Sequence, residues 1–537
     1  MRFGNPGGRW LRRGAVGVTL VSTAALAATT VGSPAQAQGK DKNLPDRLVQ
    51  QVRVDAVLAH LDELQAIADR NGGSRHASSA GYDASVEHVT ALLRDAGYQV
   101  TVQEFPFVYT EELRETLTVE GGESIPVDVM TYSGATPEGG VTGALATVAE
   151  DGTPGCEASD FDASFAGAVA LVQRGGCTFA QKAQNAEGAG AITALVYNND
   201  ATMPDEPVNG TLGAPDATSL PTGGISLNAG KDLRERMAAG PVSVTVDLEE
   251  LRENRTTTNV LAETRGGDAG RVVMAGAHLD SVNAGPGIND NGSGSSALLE
   301  TALQLSKHKP ANKVRFAWWG AEEFGLLGSE HYVADLSEAQ RDEIALYLNF
   351  DMIGSPNGII GIYDGDDSDA IGAGAGPEGS AQVEDVFERY FDDRGLAHIG
   401  SDFTGRSDYG PFLEFGIPAG GLATGSDGQK TQEQVDLFGG VVGPIWDPCY
   451  HQACDSMTPV EDGADADLYA ELDRQFRLHG NVNVDYLEQM ADAMAYAVGT
   501  FAQDVSSLEE PPAAANPDAV TGRGIEAGEG HHHEDES

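Results

Sequence analysis

The chain has 537 residues, 40% of them hydrophobic and 21% charged, which excludes disorder throughout and allows roughly three to four units of about 150 residues. Acidic residues outnumber basic ones 82 to 33, for a formal net charge of −49. A field of that sign repels phosphate backbones, which argues against nucleic acid as a partner, and attracts metal ions and peptide amino termini.

The first 37 residues read as an address. Arg2, Arg9, Arg12 and Arg13 precede an uncharged, mostly small and apolar run over 14–31, and Ala35-Gln36-Ala37 is a small-x-small cleavage pattern. A secretory signal peptide with a mature start at Gln38 fits better than a transmembrane anchor, because the run is rich in Ala, Gly and Thr and ends in a cleavage site. Its removal deletes four arginines and no acid, taking the net charge from −49 to −53. No later stretch is long and apolar enough to span a bilayer, so a secreted, extracellular, monomeric protein is expected.

Apolar residues recur at helical spacing over 52–68, and a loop follows at Asn71-Gly72-Gly73-Ser74-Arg75. A second amphipathic helix is predicted over 85–96, with Gly97 at its stop, then an alternating strand over 99–107. Gly, Ala and Val dominate from 132 to 247, where 168–172 reads as a strand, 179–189 as a helix and 191–197 as a strand. Cys156 and Cys177 fall in this region, and an intradomain disulfide is expected over two free buried thiols. Beyond Thr256, strands at 272–275, 313–319 and 345–350 alternate with helical patterns at 293–307 and 324–335. That rhythm predicts an α/β fold, a mostly parallel sheet covered by helices on both faces. The expected organisation is a signal peptide (1–37), a discontinuous domain (38–131 and 248–508), an insertion (132–247) and a disordered acidic, His-bearing tail (509–537).

Potential metal ligands fall at the strand ends. His278 follows one strand, Glu322 and Glu323 the next, and Asp351 directly ends the third; Asp290 lies in a Gly-rich loop before a helix. In an open parallel sheet the strand carboxyl ends share one edge, where ligand crevices form. Each residue alone has a bland reading as a cap, a turn or a solvated first helical turn. Together they form a His and carboxylate set suited to zinc in an open catalytic site. Cys449 and Cys454 flank His451. They could complete a Cys/His zinc site, but with no second cysteine pair nearby in an exported chain a disulfide is preferred. Adjacent glutamates can divide labour, one holding metal while the other works on a water as general base.

The sequence resembles the secreted di-zinc aminopeptidases, the bacterial leucyl aminopeptidase and aminopeptidase Y family. The matching strings are Ala277-His278-Leu279-Asp280-Ser281-Val282, Gly285-Pro286-Gly287-Ile288-Asn289-Asp290, Trp319-Gly320-Ala321-Glu322-Glu323-Phe324-Gly325, Asn349-Phe350-Asp351-Met352, Gly405-Arg406-Ser407-Asp408 and Asp447-Pro448-Cys449-Tyr450-His451, in the family's order. The resemblance implies a zinc exopeptidase-like sheet with His278 and Asp351 on one zinc, Glu323 and His451 on the other, and Asp290 bridging. It implies Glu322 as general base, Asp280 orienting His278, and Tyr450 stabilising the oxyanion. The backbone near Arg406, with Glu322 and Asp351, would receive the substrate's amino group, and Met352 would line the first side-chain pocket. Asn291 departs from the family, where many relatives carry a second Asp. The string Ala170-Leu171-Val172-Gln173-Arg174-Gly175-Gly176-Cys177-Thr178-Phe179 makes the insertion resemble a β-rich protease-associated domain, which in relatives lies beside the active site. Some relatives bind calcium, and no ligands for it are assigned in this chain.

The function this implies is release of apolar amino-terminal residues, such as Leu, from peptides. Alternatives are a carboxypeptidase or dipeptidase on the same scaffold, for which Arg406 is the only arginine within the motifs, or a non-catalytic receptor-like relative.

Overall fold

The computed structural model describes residues 43–201, 203–370 and 374–511. The signal peptide and nearly all of the acidic tail expected from the sequence lie outside the described residues.

The Asp268–His278 strand sits at the centre of the main sheet, parallel to Asn312–Trp319 on one side and to Ile344–Phe350 on the other. Ala419–Ala423 continues the parallel set, and short strands Gly361–Tyr363 and Ile399–Ser401 close that side. On the far side Ser243–Glu263 runs antiparallel to Asn312–Trp319 and pairs along its whole length with Gln99–Val119.

Side chains of a strand alternate between faces, and here both faces are buried. Val273, Ala275 and Ala277, with Phe316 and Trp318, pack into one core with helices Val54–Arg70, Ala80–Asp95, Gly292–Leu305, Ser380–Asp392 and Val484–Gln503. Met274, Trp319 and Tyr347 face the other core, with Tyr332 of helix Leu327–Asp335 and Phe412. This is the doubly covered, mostly parallel sheet that the strand and helix rhythm predicts.

Two elements run longer than their sequence patterns. The helix expected from 85 begins at Ala80, because the Ser79 side chain accepts the Tyr82 N–H and caps it there. The strand expected over 99–107 extends to Val119, since pairing with Ser243–Glu263 satisfies its backbone through a polar stretch that carries no alternation signal.

Those two strands form a 21-residue ribbon that leads into the insertion. Glu263 and Val260 pair with Arg315 and Trp318, so lower-numbered residues of this strand lie progressively beyond the carboxyl end of Asn312–Trp319. The ribbon therefore rises from the sheet edge at which Trp319 ends, and beyond it Ser243–Val246 pairs with Val141–Thr147. There, Val141–Thr147, Val169–Gln173, Thr193–Tyr197 and Thr222–Ile225 form a parallel set with helices Phe179–Gly188 and Leu227–Ala239. Val169 and Leu171 face one small core, Ala170 and Val172 the other. Cys156 and Cys177 are disulfide-bonded, as are Cys449 and Cys454.

Candidate metal centre

Each sequence-predicted ligand arrives at one sheet edge from a different element. His278 is the last residue of its strand, and its Nε2 lies 3.1 Å from Asp290 Oδ1 and 3.2 Å from Asp351 Oδ1. His451 Nε2 lies 3.1 Å from Glu323 Oε2 and 3.4 Å from Asp290 Oδ2. The two oxygens of Asp290 thus face two different imidazoles. Glu322 Oε2 stands further out, 3.8 Å from His278 Nε2. Three of these positions adjoin or occupy left-handed backbone that costs a non-Gly residue energy: Ala321 (φ 57°) before Glu322, Met352 (φ 51°) after Asp351, and His451 itself (φ 56°).

Residues 259–471 match peptidase family M28 and residues 141–233 match the PA domain. Leucine aminopeptidase 2 of Trichophyton tonsurans is 44% identical over 420 residues, 78% of this chain and 82% of that protein. The chain belongs to peptidase family M28. A solved aminopeptidase from Aneurinibacillus sp. strain AM-1 shares 27% identity with it at a TM-score of 0.64, over 84% of this chain and 95% of that one. A zinc aminopeptidase from Bacillus subtilis shares 26% at 0.57, over 83% and 94%. The M28 chain is accordingly an aminopeptidase with an inserted PA domain, as its motifs lead one to expect.

The donor set of this M28 peptidase fits zinc. Ligands about 2.0–2.1 Å from a tetrahedral ion stand roughly 3.3 Å from one another. The four contacts made by the two imidazoles with Asp290, Asp351 and Glu323 span 3.1–3.4 Å. The 3.8 Å of Glu322 falls outside that range. Glu323 Oε1 is buried without a hydrogen-bond partner, an orphan acceptor that a cation would satisfy. The charge balance points the same way: Asp280, Asp290, Glu322, Glu323, Asp351 and Asp408 gather around His278 and His451. Burial pushes Glu323 up to about 7, helped by Asp290 and opposed by His451. Burial likewise holds Glu322 well above the carboxylate range, against the pull of His278 and with Asp351 adding to it. Burial works against charge on both imidazoles, yet Asp351 and Glu322 raise His278, and Glu323 and Asp290 raise His451, well above the usual range. Asp290 is lowered: burial opposes its charge, but the two histidines outweigh it. Excess buried negative charge of this kind suits divalent cations.

The neighbours of the M28 ligands were less legible. His278 Nδ1 faces the backbone carbonyl of Asp280 at 3.2 Å and its carboxylate at 3.7 Å, so the carbonyl is the nearer partner. The Ser407 hydroxyl donates to Asp351 Oδ2 at 2.6 Å and accepts from Asn349 at 2.9 Å, leaving Oδ1 toward His278. Asn291 uses both ends of its amide: Nδ2 donates to Phe350 O at 2.9 Å, while Oδ1 accepts from Gly294 N at 2.9 Å and caps the next helix. An ionised Asp there could accept but not donate, so the contact to Phe350 O depends on the amide. Arg75, fully buried, donates to the carbonyls of Pro286 (2.8 Å), Gly287 (2.7 Å) and Leu279, holding both ends of the loop between His278 and Asp290. The sequence marks Arg75 only as a loop residue. Tyr450 stacks on His451 with ring centroids 3.8 Å apart, and Met352 is buried beside Asp351. Arg406 lies 3.6 Å from Asp427 and faces the Tyr450 phenol, next to His451.

Proposed function

We propose that this aminopeptidase holds two zinc ions and uses them to release apolar residues such as Leu from peptide amino termini. His278 and Asp351 would hold one ion, Glu323 and His451 the other, with Asp290 shared between them. The observation that carries this reading is the pair of Asp290 oxygens, each within 3.4 Å of a different imidazole nitrogen. Zinc so held supplies Lewis acidity, acidifying water and polarising a carbonyl.

The chain's own groups handle the protons. Glu322, beside the ligand set but beyond ligand spacing, accepts the proton of the attacking water and later delivers it to the leaving amine nitrogen. Burial, against the opposing charge of Arg406, keeps the Tyr450 phenol well above its usual range, so it stays protonated and donates to the developing oxyanion. Glu322, Asp351 and the backbone near Arg406 receive the substrate's ammonium, and Met352 borders the first side chain. Arg406 faces Asp427, which disfavours a carboxypeptidase needing that arginine for a free carboxylate. We read the chain as exported after cleavage at Ala37, with the PA insertion bounded by 132 and 247. No helix among the described residues is long and apolar enough to cross a membrane.

The test is a panel of free and amino-acetylated peptides followed by mass spectrometry. Stepwise loss of residues from free amino termini alone is expected; efficient cleavage of acetylated peptides would overturn the exopeptidase reading.

A further inference from the structure

The loop that presents His451 is tied at both ends, and both ties lead to Asp290. Asp447 and Asp455 bracket this loop, and their relative exposures are 0% and 2%. One carboxylate oxygen of Asp455 accepts the backbone N–H of Asn289 at 2.8 Å, and the other accepts that of Asp290 itself at 2.9 Å. The Asp455 carbonyl also accepts the Ile288 N–H, at 3.2 Å. Asp447 accepts the Asn289 side-chain amide at 2.7 Å and the Cys449 N–H at 2.9 Å. The Asn481 amide spans the two acids, donating to Asp447 at 3.0 Å and to Asp455 at 2.8 Å, and its own oxygen accepts from the Tyr469 hydroxyl.

Two carboxylates buried side by side are costly, and the arrangement survives only because amide and backbone donors occupy their lone pairs. A hydrophobic pair would pack there without that cost, so the acids do something packing cannot. What they do geometrically is grip two consecutive peptide N–H groups at the base of the Asp290 side chain while anchoring the His451 loop.

We propose that Asp447 and Asp455, joined through Asn289 and Asn481, form a clasp that sets the distance between Asp290 and His451 and so fixes the metal position these two share with Glu323. Both acids are positioning residues and touch neither substrate nor metal. The proposal rests on the two-metal reading above. The other position has separate supports: His278 ends a central strand, Ser407 and Asn349 hold Asp351, and Arg75 braces the Leu279–Gly287 loop. Loosening the clasp therefore weakens the ion at His451 more than the ion at His278, which shares only Asp290 with the clasp.

The experiment strips the full chain with a chelator and titrates zinc back by calorimetry, with cobalt absorption as a second readout. Wild type is expected to take two equivalents. Asp455→Asn sets an amide N–H against a backbone N–H; the second equivalent should bind about ten- to a hundredfold more weakly, and the first should change much less. The visible band that the second cobalt equivalent adds should shift or vanish. Tyr469→Phe removes the hydroxyl that orients Asn481 and also reaches Cys449 Sγ at 3.2 Å in the same loop; it keeps every acid and should weaken the second equivalent in the same direction but less. Wild-type affinity for both equivalents in the two variants, or equal loss of both, would overturn the clasp. A wild-type protein that takes a single equivalent would overturn the two-metal reading, and the clasp with it.

Discussion

Glu322→Gln separates a base from a ligand. The substitution keeps side-chain volume and leaves the backbone N–H of residue 322 on Asp280 Oδ1, at 3.3 Å in the native protein. The 3.8 Å between Glu322 and His278 exceeds ligand spacing, so metal content should not change. A positioned general base contributes about 10²–10⁴ in rate, equivalent to about 2.7–5.4 kcal/mol of transition-state stabilisation. An amide cannot take a proton from water at neutral pH, so the full factor should appear in kcat, with a smaller rise in KM on a leucyl anilide because Glu322 also helps receive the substrate's ammonium. Steady-state kinetics and metal analysis on the same preparation test this. A kcat close to wild type would refute the base assignment, and loss of one metal equivalent would make Glu322 a ligand instead.

Chelation should abolish hydrolysis and lower the melting temperature, because the carboxylates around His278 and His451 lose the cations that offset their repulsion; restored activity without added metal would contradict this. Replacing Cys449 and Cys454 by serine opens a loop of separation 5, a loss of roughly 2 kcal/mol on the chain-entropy account. It should show as weaker retention of the His451 metal, and unchanged zinc stoichiometry and melting would argue that the surrounding hydrogen bonds suffice. Burial, with Glu388 and Asp364 nearby, pushes Glu384 from its usual 4.5 up to about 9. The unfolded chain therefore ionises this group first, and its contribution to stability falls as pH rises from 4.5 toward 9. Glu384→Gln can still accept the Gly365 N–H and should gain on wild type in melting temperature progressively over that range; a constant difference would sink the assignment.

What the sequence revealed and what it hid follow one physical rule. His278, Asp351 and the Glu322-Glu323 pair were legible because polar residues directly after apolar strands must sit at an edge, and parallel strands share one. His451 was legible through its family motif and its flanking cysteines. Arg75 was not, because its partners are backbone carbonyls, which leave no trace in side-chain identity. Ser407 and Asp408 stood inside a matching motif, yet only the fold sets Ser407 on Asp351 and buries Asp408. Asp447 and Asp455 were hidden likewise: their significance lies in which N–H groups they meet across more than 150 positions.

The register of the ribbon explains how an insertion enters this sheet without displacing a ligand. Its strands join on the side of Asn312–Trp319 away from His278, so no ligand-bearing strand is interrupted. Since Ser243–Glu263 runs on past the level of Trp319, the ribbon carries the PA domain beyond the sheet edge at which Asn312–Trp319 ends. The base of the ribbon also touches the Glu322 turn. Phe107 and Tyr109 pack on Phe324 with centroids 5.3 and 5.4 Å apart, and Arg255 lies 3.4 Å over the Tyr109 ring. The Tyr109 hydroxyl accepts from Asn283, in the loop between His278 and Asp290, at 3.0 Å. Aromatic and cation–π contacts of this kind are worth about 0.5–1.5 kcal/mol each. The base of the ribbon and the turn that bears Glu322 therefore share one aromatic cluster, and a shift in the ribbon's base must be repacked at Phe324, one residue from Glu323.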